Sequence, residues 1–117
     1  MFQPPCRVTV AEAKAAPLPA GRSSALLLAH GSLQLRWYEP KGVDAQTPHI
    51  HDEVYVVVSG SGWFVRAGER VRFGAGDALF VRAGVPHRFE DFSDDFGTWV
   101  IYYGPDGGEL PPEPASP

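Results

Sequence analysis

The chain is poor in cysteine, in lysine and in long apolar runs, and each shortage narrows its possible functions. Its single Cys6 cannot close an intramolecular disulfide and has no cysteine partner for a thiolate metal site. With 10 basic against 14 acidic residues and a net charge of −4, it offers no basic patch that could follow a nucleic acid. No apolar run approaches the ~20 residues that cross a bilayer, and the first residues lack a secretory pattern. We therefore predict no nucleic-acid partner, no membrane partner and a cytoplasmic location.

Glycine and proline, by contrast, are abundant, with 13 and 12 copies in 117 residues. That content is more than a helical protein of this length tolerates, and it indicates strands joined by tight turns. From residue 25 onward, apolar runs of about 4 to 8 residues alternate with Gly or Pro, which is typical of a sandwich or barrel. The predicted strands lie near residues 25–29, 33–39, 53–59, 62–67, 70–73, 78–82, 86–91 and 97–103.

This length suits one hydrophobic core, so we predict a single barrel domain over residues 25–104. Residues 1–24 form an N-terminal arm, with an edge strand near Arg7 to Val10 and at most one helical turn in residues 11–16, which Pro17 ends. Residues 105–117 are rich in Pro and Gly and contain few large apolar groups. We predict that this tail is mostly disordered.

The segment from His49 to Glu53 concentrates metal-capable side chains at the start of the strand Val54 to Val58. Imidazole and carboxylate groups suit Zn, Fe, Ni, Cu or Mn, and one ligand alone cannot hold such an ion. On an extended strand His49 and Glu53 would lie ~13 Å apart. We therefore predict a chain reversal between them, with His49 at the end of one strand, Glu53 at the start of the next, and residues 50–52 as the hinge. His87, at the start of a later strand, is a further candidate ligand.

These residues resemble the two motifs of the cupin superfamily. In the first motif, His49 precedes Glu53 by three intervening residues, and Gly60 follows Glu53 after six more. In the second, Gly76-Asp77 leads to Gly84-Val85-Pro86-His87. The resemblance covers roughly residues 42–91. It implies an all-β, double-stranded β-helix or jelly-roll barrel.

The resemblance also implies a divalent transition metal, which could be Fe, Zn, Mn or Ni, held by His49, Glu53 and His87. The sequence departs from the motif at Thr47, which occupies the position of the first motif histidine. Gln46 could supply an amide oxygen there, His51 could move in, or water could fill the position. Both Gln46 and His51 are second-choice ligands. Arg82 and Asp91 replace a Pro and an Asn of the second motif and leave His87 in place.

Aromatic residues carry a second signal. Tyr55 has the same strand parity as Glu53 and should face the lumen beside the metal, where its hydroxyl could orient a ligand or act as a catalytic acid or base. Core packing explains Tyr55 equally well. A further set is predicted to supply core or pocket wall and to suit an apolar or ring-bearing small molecule: Phe80, Phe89, Trp99, Ile101 and Tyr103.

The leading functional hypothesis is a metal-dependent small-molecule enzyme, with oxygenase-type chemistry slightly ahead of isomerase or lyase chemistry. A non-catalytic barrel that binds a small molecule is the alternative, and the residue at position 47 favours it. The resemblance further implies a homodimer formed by sheet edges and the N-terminal segment.

Overall fold

The computed structural model describes residues 3–44 and 46–110 and contains one short helix and eight strands within them. The elements are α1 (Val10–Ala15), β1 (Ala25–His30), β2 (Leu33–Tyr38), β3 (Asp52–Ser59), β4 (Ser61–Arg66), β5 (Glu69–Gly74), β6 (Ala78–Val81), β7 (His87–Glu90) and β8 (Gly97–Tyr103). Every strand predicted from residue 25 onward is present within one residue at each end. The helix is far too short to cross a membrane.

Tight turns at glycine make this succession of short antiparallel strands possible. Gly60 joins β3 to β4 at a φ of +85°, and Gly68 joins β4 to β5 at a φ of +86°. A Cβ on Gly60 would lie 2.5 Å from the Cα of Phe96, whereas a Cβ on Gly68 would meet nothing within 4 Å. Both turns need the left-handed backbone that glycine adopts at no steric cost, and only the first also needs the missing side chain.

The strands form two antiparallel sheets that face each other. The larger has the order β1-β2-β8-β3-β6 and the smaller the order β5-β4-β7. Between them lies an aromatic and aliphatic core that includes Tyr55, Phe64, Phe89, Phe96 and Val100. This two-layer, all-β arrangement confirms the predicted jelly-roll fold.

The N-terminal arm differs from its prediction, because no strand forms near residues 7–10. The chain instead enters α1 at Val10. Thr9 caps this helix by accepting a hydrogen bond from the N–H of Glu12, while the Thr9 hydroxyl donates to the Glu12 carboxylate. The Thr-x-x-Glu spacing is that of a capping box, and its N-cap bond to Glu12 N–H favours helix over strand at this point. Ala13 fixes the helix by burying its methyl group.

Residues 105–110, the first part of the predicted disordered tail, are held by hydrogen bonds to other segments. Gly107 N–H donates to the Ile50 carbonyl at 2.7 Å, and Glu109 N–H donates to the Asp52 carboxylate at 2.7 Å. Asp52 also accepts from Ala83 N–H at 2.9 Å, so one buried carboxylate at the start of β3 fastens both residues 105–110 and the loop after β6. Residues 111–117 lie outside the described part of the chain.

The residues predicted to supply core or pocket wall divide between the space enclosed by the two sheets and the outer face of the large sheet. Phe89 is 2% exposed and belongs to the core. Trp99 and Ile101 lie on the opposite face, in a groove shared with Pro5 to Val8 of the arm, and Phe80 is 41% exposed. Trp99 and Ile101 therefore line that groove and not the lumen, because Val100, of the other parity, is the β8 residue that enters the core. Phe80 of β6 is paired with Val54, which is paired in turn with Ile101, so Phe80 lies on the same outer face.

Candidate metal centre

Three side chains from two separate segments of the sequence come together between the two sheets. A ring nitrogen of His49, a carboxylate oxygen of Glu53 and a ring nitrogen of His87 all lie within 4.8 Å of one another, and the three together could hold one ion. Donor atoms on opposite sides of one transition metal are about 4 Å apart. Side-chain movements of less than about 1 Å would therefore complete a coordination sphere.

Each of the three residues is positioned by a different element. Glu53 is the second residue of β3 in the large sheet, and His87 is the first residue of β7 in the small one. His49 was predicted at the end of a strand but lies in the loop before β3, where Pro48 disfavours a ladder. Its carbonyl accepts a hydrogen bond from Gly84 N–H at 2.7 Å, which ties this loop to the one that precedes His87.

The Glu53 carboxylate provides the test of whether a cation fits here. The residue is 1% exposed, and neither carboxylate oxygen accepts a hydrogen bond from a described residue. Nε2 of His87 lies 2.7 Å from Oε1, with both side chains 1% exposed. That is close enough for an ion pair when His87 is protonated, although it does not meet hydrogen-bond geometry. A buried carboxylate without donors is costly, so the residues present fit a bound cation.

His87 is oriented with Nε2 toward Glu53. Its Nδ1 lies 2.8 Å from the Val85 carbonyl, and a hydrogen bond donated to that oxygen leaves Nε2 of the neutral ring free as a metal ligand. Burial lowers the pKa of His87, but the Glu53 carboxylate and the Val85 carbonyl outweigh it, and the net pKa is raised. A proton on Nε2 therefore competes with a metal for the same position.

His49 is the member of the cluster that meets solvent. It is half-buried, and it lines two open cavities of about 410 Å³ each. Burial is the largest cause of its lowered pKa, and the His87 charge acts in the same direction. The neutral imidazole that a metal requires is thus the favoured form of His49. A molecule that enters either cavity would approach the cluster from the His49 side.

Gln46 lies against the cluster, with Oε1 3.3 Å from Nε2 of His49. The orientation of its amide is fixed from the other side, because Nε2 of Gln46 donates to Asp44 Oδ2 at 2.7 Å. Asp44 is itself buried, and it accepts hydrogen bonds from the Tyr38 hydroxyl and from Phe89 N–H. Asp44 therefore turns the Gln46 oxygen toward the cluster. No local sequence signal indicates this role, since an Asp in a loop between two prolines is usually a turn residue.

Tyr55 lies directly behind the cluster. Its hydroxyl donates to Gln46 Oε1 at 3.1 Å and is also 3.1 Å from Nε2 of His87. Burial is the main reason why the pKa of Tyr55 is raised well above its ordinary value, and the Glu53 charge adds to it. The phenol therefore stays neutral. Since Tyr55 is 1% exposed and its hydroxyl contacts Gln46 and His87, the geometry favours an orienting role ahead of proton transfer.

The other second-choice ligand, His51, lies outside the cluster. Its Nε2 is 3.1 Å from Oδ1 of Asp106, and its ring stacks on that of Tyr102, with the centroids 6.0 Å apart. Thr47, at the position of the absent motif histidine, lines both cavities beside His49. The cluster therefore consists of two imidazoles and one carboxylate, with Gln46 Oε1 as the nearest further oxygen. Such a set leaves coordination positions open for a substrate or water.

Comparison with known proteins agrees with this architecture. Residues 35–101 match the family model described as "Cupin domain". An uncharacterized protein of Streptomyces coelicolor, SCO3923, is 38% identical over 63 residues, which span 54% of this chain and 60% of that protein. The chain therefore matches less than two thirds of that relative's length.

Solved structures give the same fold. A conserved protein with a double-stranded β-helix domain from Klebsiella pneumoniae superposes with a TM-score of 0.66 at 17% identity, covering 84% of this chain and 89% of that one. A cupin 2 conserved barrel protein from Salinispora arenicola superposes with a TM-score of 0.59 at 20% identity, covering 69% and 74%. At such identities the likeness concerns the fold alone.

Proposed function

This chain belongs to the cupin domain family, whose model matches more than half of it, and on that premise we propose that it is a metal-dependent enzyme acting on a small molecule. One observation carries the proposal. The Glu53 carboxylate is buried between two imidazoles, and neither of its oxygens meets hydrogen-bond geometry with a described residue. Its charged contact among those residues is with Nε2 of His87, at 2.7 Å from Oε1. A structural role would have supplied donors to this carboxylate.

Each residue of the centre has a role in this proposal. His49, Glu53 and His87 hold an Fe, Zn, Mn or Ni ion, and Gln46 completes the sphere or accepts a hydrogen bond from a bound water. A metal in this site would supply Lewis acidity or, as iron, redox chemistry. Tyr55 orients Gln46 and His87 through its hydroxyl. The Val85 carbonyl keeps Nε2 of His87 directed at the ion.

Oxygenase-type chemistry ranks slightly ahead of isomerase or lyase chemistry. Two histidines and one carboxylate with open positions are typical of non-haem iron oxygenases. A substrate would enter from the solvent side, where His49 lines both open cavities. Small organic molecules fit cavities of about 410 Å³.

The second candidate function is a non-catalytic barrel that binds a small molecule. Thr47 favours it, because the position of the first motif histidine carries a poor ligand and the ion would then be held by three protein groups. A binder would use the same cavities and would return its ligand unchanged. Homodimerisation remains a prediction of the family resemblance.

Metal content tests the first step of the proposal. Protein purified without a metal-affinity tag should carry close to one transition-metal ion per chain by elemental analysis. His49→Ala should lose that ion, while His30→Ala, which changes an exposed histidine at the end of β1, should keep it. Equal metal content in the two variants would refute the assignment of His49 as a ligand.

Turnover separates the enzyme from the binder. Metal-loaded protein is incubated in air and under argon with a fractionated extract of small metabolites, and mass spectrometry follows both bound and converted compounds. An enzyme depletes one compound in favour of a product, and His49→Ala abolishes the conversion. A compound that co-purifies and is released unchanged would support the binder. Conversion that needs air would favour oxygenase chemistry.

A further inference from the structure

An arginine faces the same side of the large sheet as the metal centre. Arg36 in β2 is paired with Val100 of β8, and Val100 is paired with Tyr55 of β3. Side chains directly opposite one another in neighbouring strands point to the same face. Adjacent strands are about 4.8 Å apart, so the Cα atoms of Arg36 and Tyr55 lie about 10 Å apart across β8. An arginine side chain is long enough to extend across this distance toward the metal centre.

The guanidinium is held in place and yet retains unused donors. Its Nε donates to Ser24 Oγ at 2.8 Å, and Nη1 donates to Gln34 Oε1 at 2.7 Å. A guanidinium has five N–H groups, so three of those on Arg36 have no acceptor among the described residues. Nor does a described carboxylate lie within ion-pair distance of it, whereas Arg66, Arg70 and Arg88 all have one. Arg36 is therefore a half-buried, oriented cation without a counter-charge.

Arg36 and His49 line one cavity. It has a volume of about 410 Å³ and includes both residues together with Arg22, Ser24, Gln34 and Tyr102. The Tyr102 ring connects the two ends, since its centroid is 5.3 Å from that of His49 and 6.0 Å from Cζ of Arg36. A small molecule in this cavity can contact the guanidinium at one end and the metal centre at the other.

The positive charges around this cavity favour an anionic ligand. A divalent ion held by two neutral imidazoles and Glu53 has a net charge of +1, and Arg36 adds another. Exposed Arg22 at the rim contributes a third positive charge. A planar guanidinium with free N–H groups matches the two oxygens of a carboxylate. We propose that this cavity binds a small organic acid whose carboxylate is held by Arg36 while a second oxygen group reaches the metal centre.

This inference deepens the proposed function and rests on it only for the second oxygen group, because the carboxylate contact with Arg36 needs no metal. The two can therefore fail separately. The probes are the dicarboxylates from malonate to glutarate, each compared with its neutral diamide. Binding is measured by titration calorimetry on metal-free and metal-loaded protein, and metal content is measured in parallel.

Arg36→Gln is the test variant, and Arg88→Gln is the matched control because Arg88 is exposed and paired with Glu90 outside the cavity. At least one dicarboxylate should bind wild-type protein, and its diamide should not. Arg36→Gln should weaken that binding at least tenfold, about the effect of losing a charge-assisted hydrogen-bond pair. Arg36→Lys should recover part of it, since the charge remains and the planar fork is lost. Arg88→Gln should bind as wild type does, and all variants should keep their metal content.

The inference is overturned if no member of the series binds more tightly than its diamide, or if Arg36→Gln binds as wild type does while remaining folded by circular dichroism. Arg36-dependent binding to protein that takes up no metal would leave the carboxylate site standing and remove the proposed enzyme. If metal content is normal and dicarboxylate binding does not depend on Arg36, the proposed enzyme stands and the carboxylate site is refuted.

Discussion

Replacing Glu53 with glutamine should remove the stabilisation that a metal confers on this fold. The change keeps the size of the side chain and removes the one carboxylate of the cluster. A ligand that binds only the folded state at 100 times its Kd stabilises the protein by about 2.7 kcal/mol. For a domain of this size, 1 kcal/mol corresponds to roughly 3–6 °C in Tm. Wild-type protein should therefore unfold about 8–16 °C higher with metal than without it, and Glu53→Gln should show little or no shift.

Without metal, the same substitution should have the opposite effect on stability. Both Glu53 oxygens are buried without a hydrogen bond, and an amide costs less to bury than a carboxylate. At about pH 9, where an ordinary histidine is neutral, metal-free Glu53→Gln should be at least as stable as metal-free wild type.

Scanning calorimetry with and without added Mn²⁺ or Zn²⁺ measures both effects. Glu69→Gln, which changes an exposed carboxylate paired with Arg66, is the matched control and should behave as wild type does. A metal-dependent shift in Glu53→Gln equal to that of wild type would refute the assignment of Glu53 as a ligand.

Three further outcomes follow from the structure. Because the pKa of His87 is raised, metal affinity should fall as the pH drops through a value above the ordinary histidine pKa of about 6.5. Metal titrations between about pH 6 and 9 measure this, and an affinity that does not change with pH would contradict it. Asp52 has a lowered pKa because two backbone N–H groups donate to it. Its contribution to the free energy of unfolding is therefore fully present above the unfolded-state pKa of about 3.9 and is lost as the pH falls through the folded-state pKa. Asp52→Asn should accordingly cost about 1–3 kcal/mol in urea unfolding at neutral pH and less at about pH 3. Gly60→Ala should destabilise the protein by more than about 3 kcal/mol, because its Cβ would collide with Phe96, whereas Gly68→Ala should cost only the backbone strain of about 1–2 kcal/mol; equal losses in chemical denaturation would argue against the collision.

The sequence predicted the fold because its signals are local. Alternating apolar residues bounded by glycines fix where strands begin and end, and turns such as that at Gly60 leave few alternatives. The resemblance of the segments around His49, Glu53 and His87 to the two cupin motifs implied that the three side chains meet, and they do lie within 4.8 Å of one another. The Thr-x-x-Glu spacing from Thr9 to Glu12 is also present in the sequence, and it favours the observed helix over the strand predicted near residues 7–10.

The surroundings of the centre depended on contacts between distant segments, which a linear pattern does not contain. Strand parity for β8 was decided by which face of the large sheet packs on the small one, and this placed Val100 inside and Trp99 outside. The same choice turned Arg36 toward the cavity, although nothing near it in sequence distinguishes it from the other arginines. Asp44 acquired its role only when Phe89 of β7 donated a hydrogen bond to it, which holds the carboxylate where it also meets Gln46 two residues along the same loop. Local chemistry therefore determined the strands and the three candidate ligands, while the packing of the two sheets decided which polar groups surround them.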